Sequence, residues 1–360
     1  MKGILKTNGF KAQPLWLKAA VIGLMAMLIV SIVSPPVLKT YLNSVVLSNM
    51  GSYEGHVEKV RIHPLKGYYA LNELVVRRSS SQKDVPFFKV DSLRFHLSLK
   101  AIFKGDLVFV AELVRPEVNF MDAEKEEDKQ TGEGGNWLQT LETVLPDTLG
   151  EIRVEDGSLS FKNMDSNPRV DLRANNVDIR VINLAGTESK KYGSKGEATV
   201  SGDALEHGVI DFKASFDHSN LSDFQMRGSI KNLKLSSLND ISRVYANLDF
   251  KSGEGDIFTE IIGGNGTFSG YVKPLFTNVD VLSWEQDIEE QGDSLIQFAW
   301  EGIAGLLQTL LTNPVSDKLA TKIEFEKQYD ELNVDALSAF WGVITNAFVD
   351  TMSAGFDGDD

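Results

Sequence analysis

Hydrophobic residues change period along this chain, and the changes divide it into segments. Residues 15–34 are nearly all apolar, with Lys18 their one charge. Twenty residues at a helical rise of about 1.5 Å cover roughly 30 Å, the thickness of a bilayer's hydrocarbon core. The run therefore predicts a membrane-spanning helix. Trp16 and Lys18 would sit at its interfacial end, with Val21, Leu24, Leu28 and Val30 among the anchoring side chains. Pro35-Pro36 is expected to end it. A cleaved signal peptide has the same basic-then-apolar order, but the run is long for one. No small-x-small site follows, and the two prolines occupy the place of cleavage, so the uncleaved anchor is preferred. Next, residues 37–48 set Val37, Tyr41 and Val45 at helical spacing and predict a short interfacial helix.

After Gly51 the period becomes two. Leu93, Phe95, Leu97 and Leu99 alternate with Arg94, His96 and Ser98, as on a strand with one apolar face. Val177 and Ile179 alternate with Asp178, and Ile210, Phe212 and Phe216 with Asp211, Lys213 and Ser215. Val244, Ala246, Leu248 and Phe250 fit the same pattern against Tyr245, Asn247 and Asp249. Asp156-Gly157, Gly202-Asp203 and residues 263–266 read as turns between strands. Residues 121–137 are charged and glycine-containing, which suggests a mobile loop with little apolar surface to offset its ordering. Residues 294–311 and 335–352 have helical apolar faces, separated by a strand with Ile323 and Phe325 inward.

No strong helical pattern interrupts residues 151–284, so the one-sided strands must be covered by another sheet, by their own curl or by a ligand. The expected architecture is mainly β: an N-terminal transmembrane helix, then an elongated curled antiparallel sheet forming a groove, with two C-terminal amphipathic helices. The expected divisions are a basic tail (1–14), the anchor (15–34) and a first β region (35–120). An acidic loop and linker (121–149), a β-groove region (150–285) and a helix-strand-helix cap with acidic tail (286–360) complete them. Alternation does not separate a filled β-sandwich from an open groove, because both need apolar side chains inside.

Charge and composition narrow the chemistry. The net charge is −15, and with four lysines and no acid in the first 18 residues the remainder carries −19, the wrong sign for gripping nucleic acid. There is no cysteine, hence no disulfide, thiol nucleophile or sulfur-ligated metal. The histidines do not form a zinc-helix pattern, and neither a phosphate-binding glycine loop nor a nucleophile elbow is present. Asp217-His218 and Glu54 with His56 are isolated acid–base pairs without a third partner in sequence. No catalytic residue, metal or cofactor is expected.

The motifs SYEGHVEKVRI (52–62), YALNELVVRR (69–78), LVFVAELVRPEVN (107–119), VEDGSLSF (154–161) and GYVKPLFTNVDV (270–281) follow the single anchor in order, with a tryptophan-containing segment around Trp300. This order resembles the AsmA-like envelope proteins of Gram-negative bacteria, in particular a domain-of-unknown-function branch related to AsmA and TamB. The resemblance implies an inner-membrane anchor with its N-terminus cytoplasmic. It also implies a periplasmic hydrophobic groove that binds or transfers phospholipid in support of outer-membrane homeostasis. It offers no catalytic residues to carry over. The expected groove lining is Leu93, Phe95, Leu97, Leu99, Val177, Ile179, Ile210, Phe212, Phe216, Leu248 and Phe250. Membrane lipids are the expected partners, with an envelope protein also possible and nucleic acid excluded. The alternative is a periplasmic scaffold or assembly factor with a closed β core.

Overall fold

The computed structural model of the chain describes residues 15–48, 50–98, 108–132, 149–184, 195–217, 220–264, 267–284, 318–320 and 322–328. One helix, α1 (Leu15–Tyr41), leads through a π-helical turn (Leu42–Val46) into a single sheet. The strands are β1 (Tyr53–His63), β2 (Tyr68–Arg78), β3 (Phe88–Leu97), β4 (Phe109–Asp122), β5 (Leu149–Asn163), β6 (Val170–Ile182) and β7 (Lys195–Ala204). They continue as β8 (Gly208–Asp217), β9 (Asn220–Lys234), β10 (Leu248–Gly264), β11 (Thr267–Trp284), β12 (Lys318–Ala320) and β13 (Ile323–Gln328). Strands neighbour one another in chain order, and β12 and β13 both pair with β11. All pairs are antiparallel except β4 with β5. β1 does not pair with the far edge, so the sheet is open, not a barrel.

Register makes one face apolar from edge to edge. Directly paired residues point the same way, and Leu71 of β2 faces Leu93, which faces Leu113, which faces Val154. On β8, Phe212 lies between Val200 and Gly228, and Ile210 between Gly202 and Ile230. A row of left-handed residues crosses the strands: Glu73, Arg115, Asp156, Asn176, Asn232, Gly253 and Asn278. There, inward apolar residues fall three apart instead of two, as with Leu71 and Leu74, Val90 and Leu93, and Val154 and Gly157. This is how a bulge re-aims side chains while keeping them on one face.

Several expectations change here. Pro35 and Pro36 remove two N–H donors but do not end α1, which continues to Tyr41. Its last turns are held by the sheet: Asn43 Nδ2 donates to Val57 O (3.0 Å), Val57 N–H donates to Asn43 Oδ1 (2.8 Å), and Gly55 N–H donates to Leu47 O (2.7 Å). These bonds satisfy part of the free edge of β1. Residues 239–246 are not strand but a short helix, α2 (Asn239–Ala246), ended by Asn247 in the left-handed region. Val244 and Ala246 therefore belong to α2. Asp156-Gly157 and Gly202-Asp203 lie inside β5 and β7; the first is a bulge with Asp156 left-handed, not a turn. Within the expected loop, Met121–Ala123 and Asp128–Gln130 are buried, with Glu124–Glu127 exposed between them, and residues 133–137 lie outside the described residues. Asp128 accepts from Ser81 Oγ (2.8 Å) and Gln82 N–H (2.9 Å), and Gln130 pairs with Met121 and donates to Val85 O, so polar bonds replace the missing apolar burial. The terminal helices expected at 294–311 and 335–352 lie outside the described residues.

Candidate functional site

The two halves of the apolar face differ. Over β1–β5 it is covered: Leu42, Leu47 and Met50 from the π-turn segment, with Phe87 and Ile241, join Val57, Leu74, Leu93, Phe95, Phe120 and Phe161 in one buried cluster. Aromatic contacts bind it, with Tyr53 and Phe87 ring centroids 4.9 Å apart and Tyr69 stacked on Phe95 at 4.8 Å. Over β6–β9 the same face is only half-buried, at Val177, Ile179, Val200, Phe212, Met226 and Ile230. Among the described residues β7 and β8 meet chiefly their sheet neighbours, with no helix lying across them. The result is a trough with an apolar floor.

One end of the trough is closed. The β9–β10 connection, Leu235–Leu238 and α2, reaches from β10 across to β6. Ser242 Oγ donates to Leu248 O (2.8 Å), and Asn239 bonds both N–H and C=O of Phe250, so Leu248 and Phe250 are buried under α2. At its far side Tyr245 donates to Asp122 Oδ2 (2.7 Å), which also accepts from Asn163 Nδ2 (3.1 Å). Burial pushes the Asp122 carboxyl above the usual carboxylate range despite the Tyr245 hydroxyl. Burial and the Asp122 charge likewise hold the Tyr245 phenol protonated. Followed strand to strand, the opposite end of the sheet runs from the β1–β2 turn to the β8–β9 and β10–β11 turns. α1 meets the β1–β2 turn at Pro64–Lys66.

The other face is polar and self-paired. Glu151 accepts from Arg153 (2.8 Å) and Arg180 (3.0 Å); burial alone would raise its carboxyl, but the two guanidinium groups carry it below the usual range. A concavity of about 320 Å³ lies on this side, along the bulge row, between Lys89, Asp91, Arg115, Ser158 and Asn176. Its arginine is already paired, Arg115 to Asp91 at 2.8 Å. This polar cleft is separate from the apolar trough.

Each expected lining residue now has a place. Val177, Ile179, Ile210 and Phe212 lie on the uncovered floor, half-buried. Phe216 is on the same face but buried over Gly196. Leu93 and Phe95 share the face and are packed into the covered cluster, while Leu97 is half-buried and Leu99 lies outside the described residues. Alternation read Ala214 as inward with Phe212 and Phe216 but missed Gly196, Ala198 and Gly228, small inward residues identified by their register with Phe216, Ala214 and Phe212. The anchor residues Trp16, Val21, Leu24, Leu28 and Val30 are exposed, and Lys18 is half-buried; none of the most apolar stretch of α1 is buried. This helix is long and apolar enough to cross a membrane. Glu54 and His56 are both exposed, and His56 meets Glu58 instead; His218 lies outside the described residues. Among the described residues no group of His, Cys, Asp or Glu could hold a metal ion. No protein-family model matches the sequence, and no curated protein matches it.

Proposed function

We propose that this chain is a non-enzymatic, inner-membrane-anchored protein of the AsmA-like type, whose periplasmic trough binds and hands on phospholipid acyl chains in support of outer-membrane homeostasis. The observation that carries this reading is a half-exposed apolar sheet face over β6–β9, in a chain that begins with an exposed apolar helix. Contiguous apolar surface left uncovered in a water-soluble domain is uncommon and marks a binding surface. At a membrane, the apolar partner at hand is lipid. Each Å² of acyl chain laid on the floor is worth about 25 cal/mol. The basic residues Lys2, Lys6 and Lys11 before the anchor favour a cytoplasmic N-terminus. Among the described residues, twelve strand positions spaced about 4.8 Å give an arc of roughly 50 Å and suit a short-range carrier.

A photo-crosslinking amino acid at Ile179, Phe212 or Met226, introduced in living cells, is expected to yield phospholipid adducts. The buried Phe95 position is expected to yield none. Absence of lipid at all three open positions would overturn the proposal. The scaffold reading draws support from the closed cluster over β1–β5. Protein adducts at the same three positions, in place of lipid, would favour it.

A further inference from the structure

The floor of the trough has unusually low relief, and two phenylalanines account for it. The ring of Phe212 on β8 lies over Gly228 of β9: a Cβ at that glycine would stand 2.0 Å from Phe212 Cδ1. The ring of Phe216 lies over Gly196 of β7, where a Cβ would stand 2.2 Å from Cε2. Both rings are therefore laid down along the sheet, leaning to opposite neighbours, instead of standing into the space above. Between them sits Ala214, paired with Ala198 on one side and Met226 on the other. A filled sandwich needs the opposite arrangement, because small residues facing a packed layer leave voids. The covered half does supply that volume, with Leu74, Leu93, Phe95 and Phe120.

We infer that the Phe212–Gly228 and Phe216–Gly196 pairs gauge the trough, admitting slender extended acyl chains and excluding rigid polycyclic ligands. This rests on the lipid reading above and deepens it by naming what sets selectivity. The inward row of β7 from Gly196 to Ala204 runs about 27 Å at 3.4 Å per residue. One extended acyl chain, half the roughly 30 Å bilayer core, fits along it.

The test uses the full chain in detergent with two photoactivatable probes, a diazirine-bearing palmitoyl phosphatidylcholine and a diazirine-bearing sterol. Wild type is expected to capture the first and not the second. Gly228→Val forces the Phe212 ring off the floor, and capture of the palmitoyl probe is expected to fall about tenfold. Adding Phe212→Ala to Gly228→Val is expected to restore it. Should Gly228→Val fail to fold, Phe212→Ala alone decides: it deepens the floor, and sterol capture is expected to appear. Wild type that captures neither probe overturns the lipid reading and this inference with it. Wild-type capture that is indifferent to Gly228→Val, or sterol rejection that survives Phe212→Ala, overturns the gauge alone.

Discussion

Asp122 shows how a single residue ties distant segments together. Its carboxylate accepts from Tyr245 and Asn163, joining β4, β5 and α2 at the closed end of the trough. Asp122→Ala removes the acceptor that Tyr245 and Asn163 share, leaving Asn163 Nδ2 only its bond to the Tyr245 hydroxyl (2.9 Å), and is expected to cost about 1–3 kcal/mol, read as a lower urea midpoint. Because burial raises this carboxyl in the folded protein, the folded state holds the proton more tightly than the unfolded one. The contribution of Asp122 to stability thus falls as the pH rises through the folded value, and grows as the pH drops toward the ordinary carboxylate range. Asp122→Asn is expected to lose that dependence. Measured at pH 7 and again near pH 4.5, wild type should gain on the variant at the lower pH; a constant difference would show that the site stays ionised. None of this could be read in the sequence. Asp122 looked like the start of a charged loop, and its partner Tyr245 looked like the outward residue of a strand.

At the scale of elements, alternation located most strands well, including β3, β6, β8 and β13, because each keeps a period of two over the stretch away from the bulge row. It failed where the period slips. Left-handed residues inside strands resemble turns in sequence, so Asp156-Gly157 read as a break in what is one strand of 15 residues. The short helix α2 escaped for a related reason: eight residues hold too few turns for a helical period to outweigh the alternation beside it. The bulge row itself is testable. Asn278 sits at φ 52° on β11 with its side chain exposed. Asn278→Val, with a β-branched side chain in the left-handed region, is expected to destabilise by about 1–2 kcal/mol. Asn278→Gly is expected to be nearly neutral. Equal effects of the two substitutions in urea denaturation would mean that the backbone there relaxes freely.

For the whole molecule, the sequence made the long apolar helix and the one-sided sheet legible but not the division into a covered and an uncovered half. That division depends on where α2 and residues 42–50 land, which no local pattern encodes. Sidedness can be measured directly, since the chain has no native cysteine. A single cysteine at the exposed Ser236, beside α2, is expected to react with a membrane-impermeant maleimide once the outer membrane is permeabilised. One at Thr7, in the basic flank, is expected to react only after the inner membrane is broken. The reverse order would invert the proposed orientation. The helix that passes through Pro35-Pro36 without stopping adds a constraint of its own. Its final turns are bolted to β1 through Asn43 and Leu47, so the apolar rod and the sheet are joined without a swivel. Any roll or lean of that rod must carry the whole sheet with it, and under the proposed anchoring the direction in which the trough faces would be decided inside the lipid.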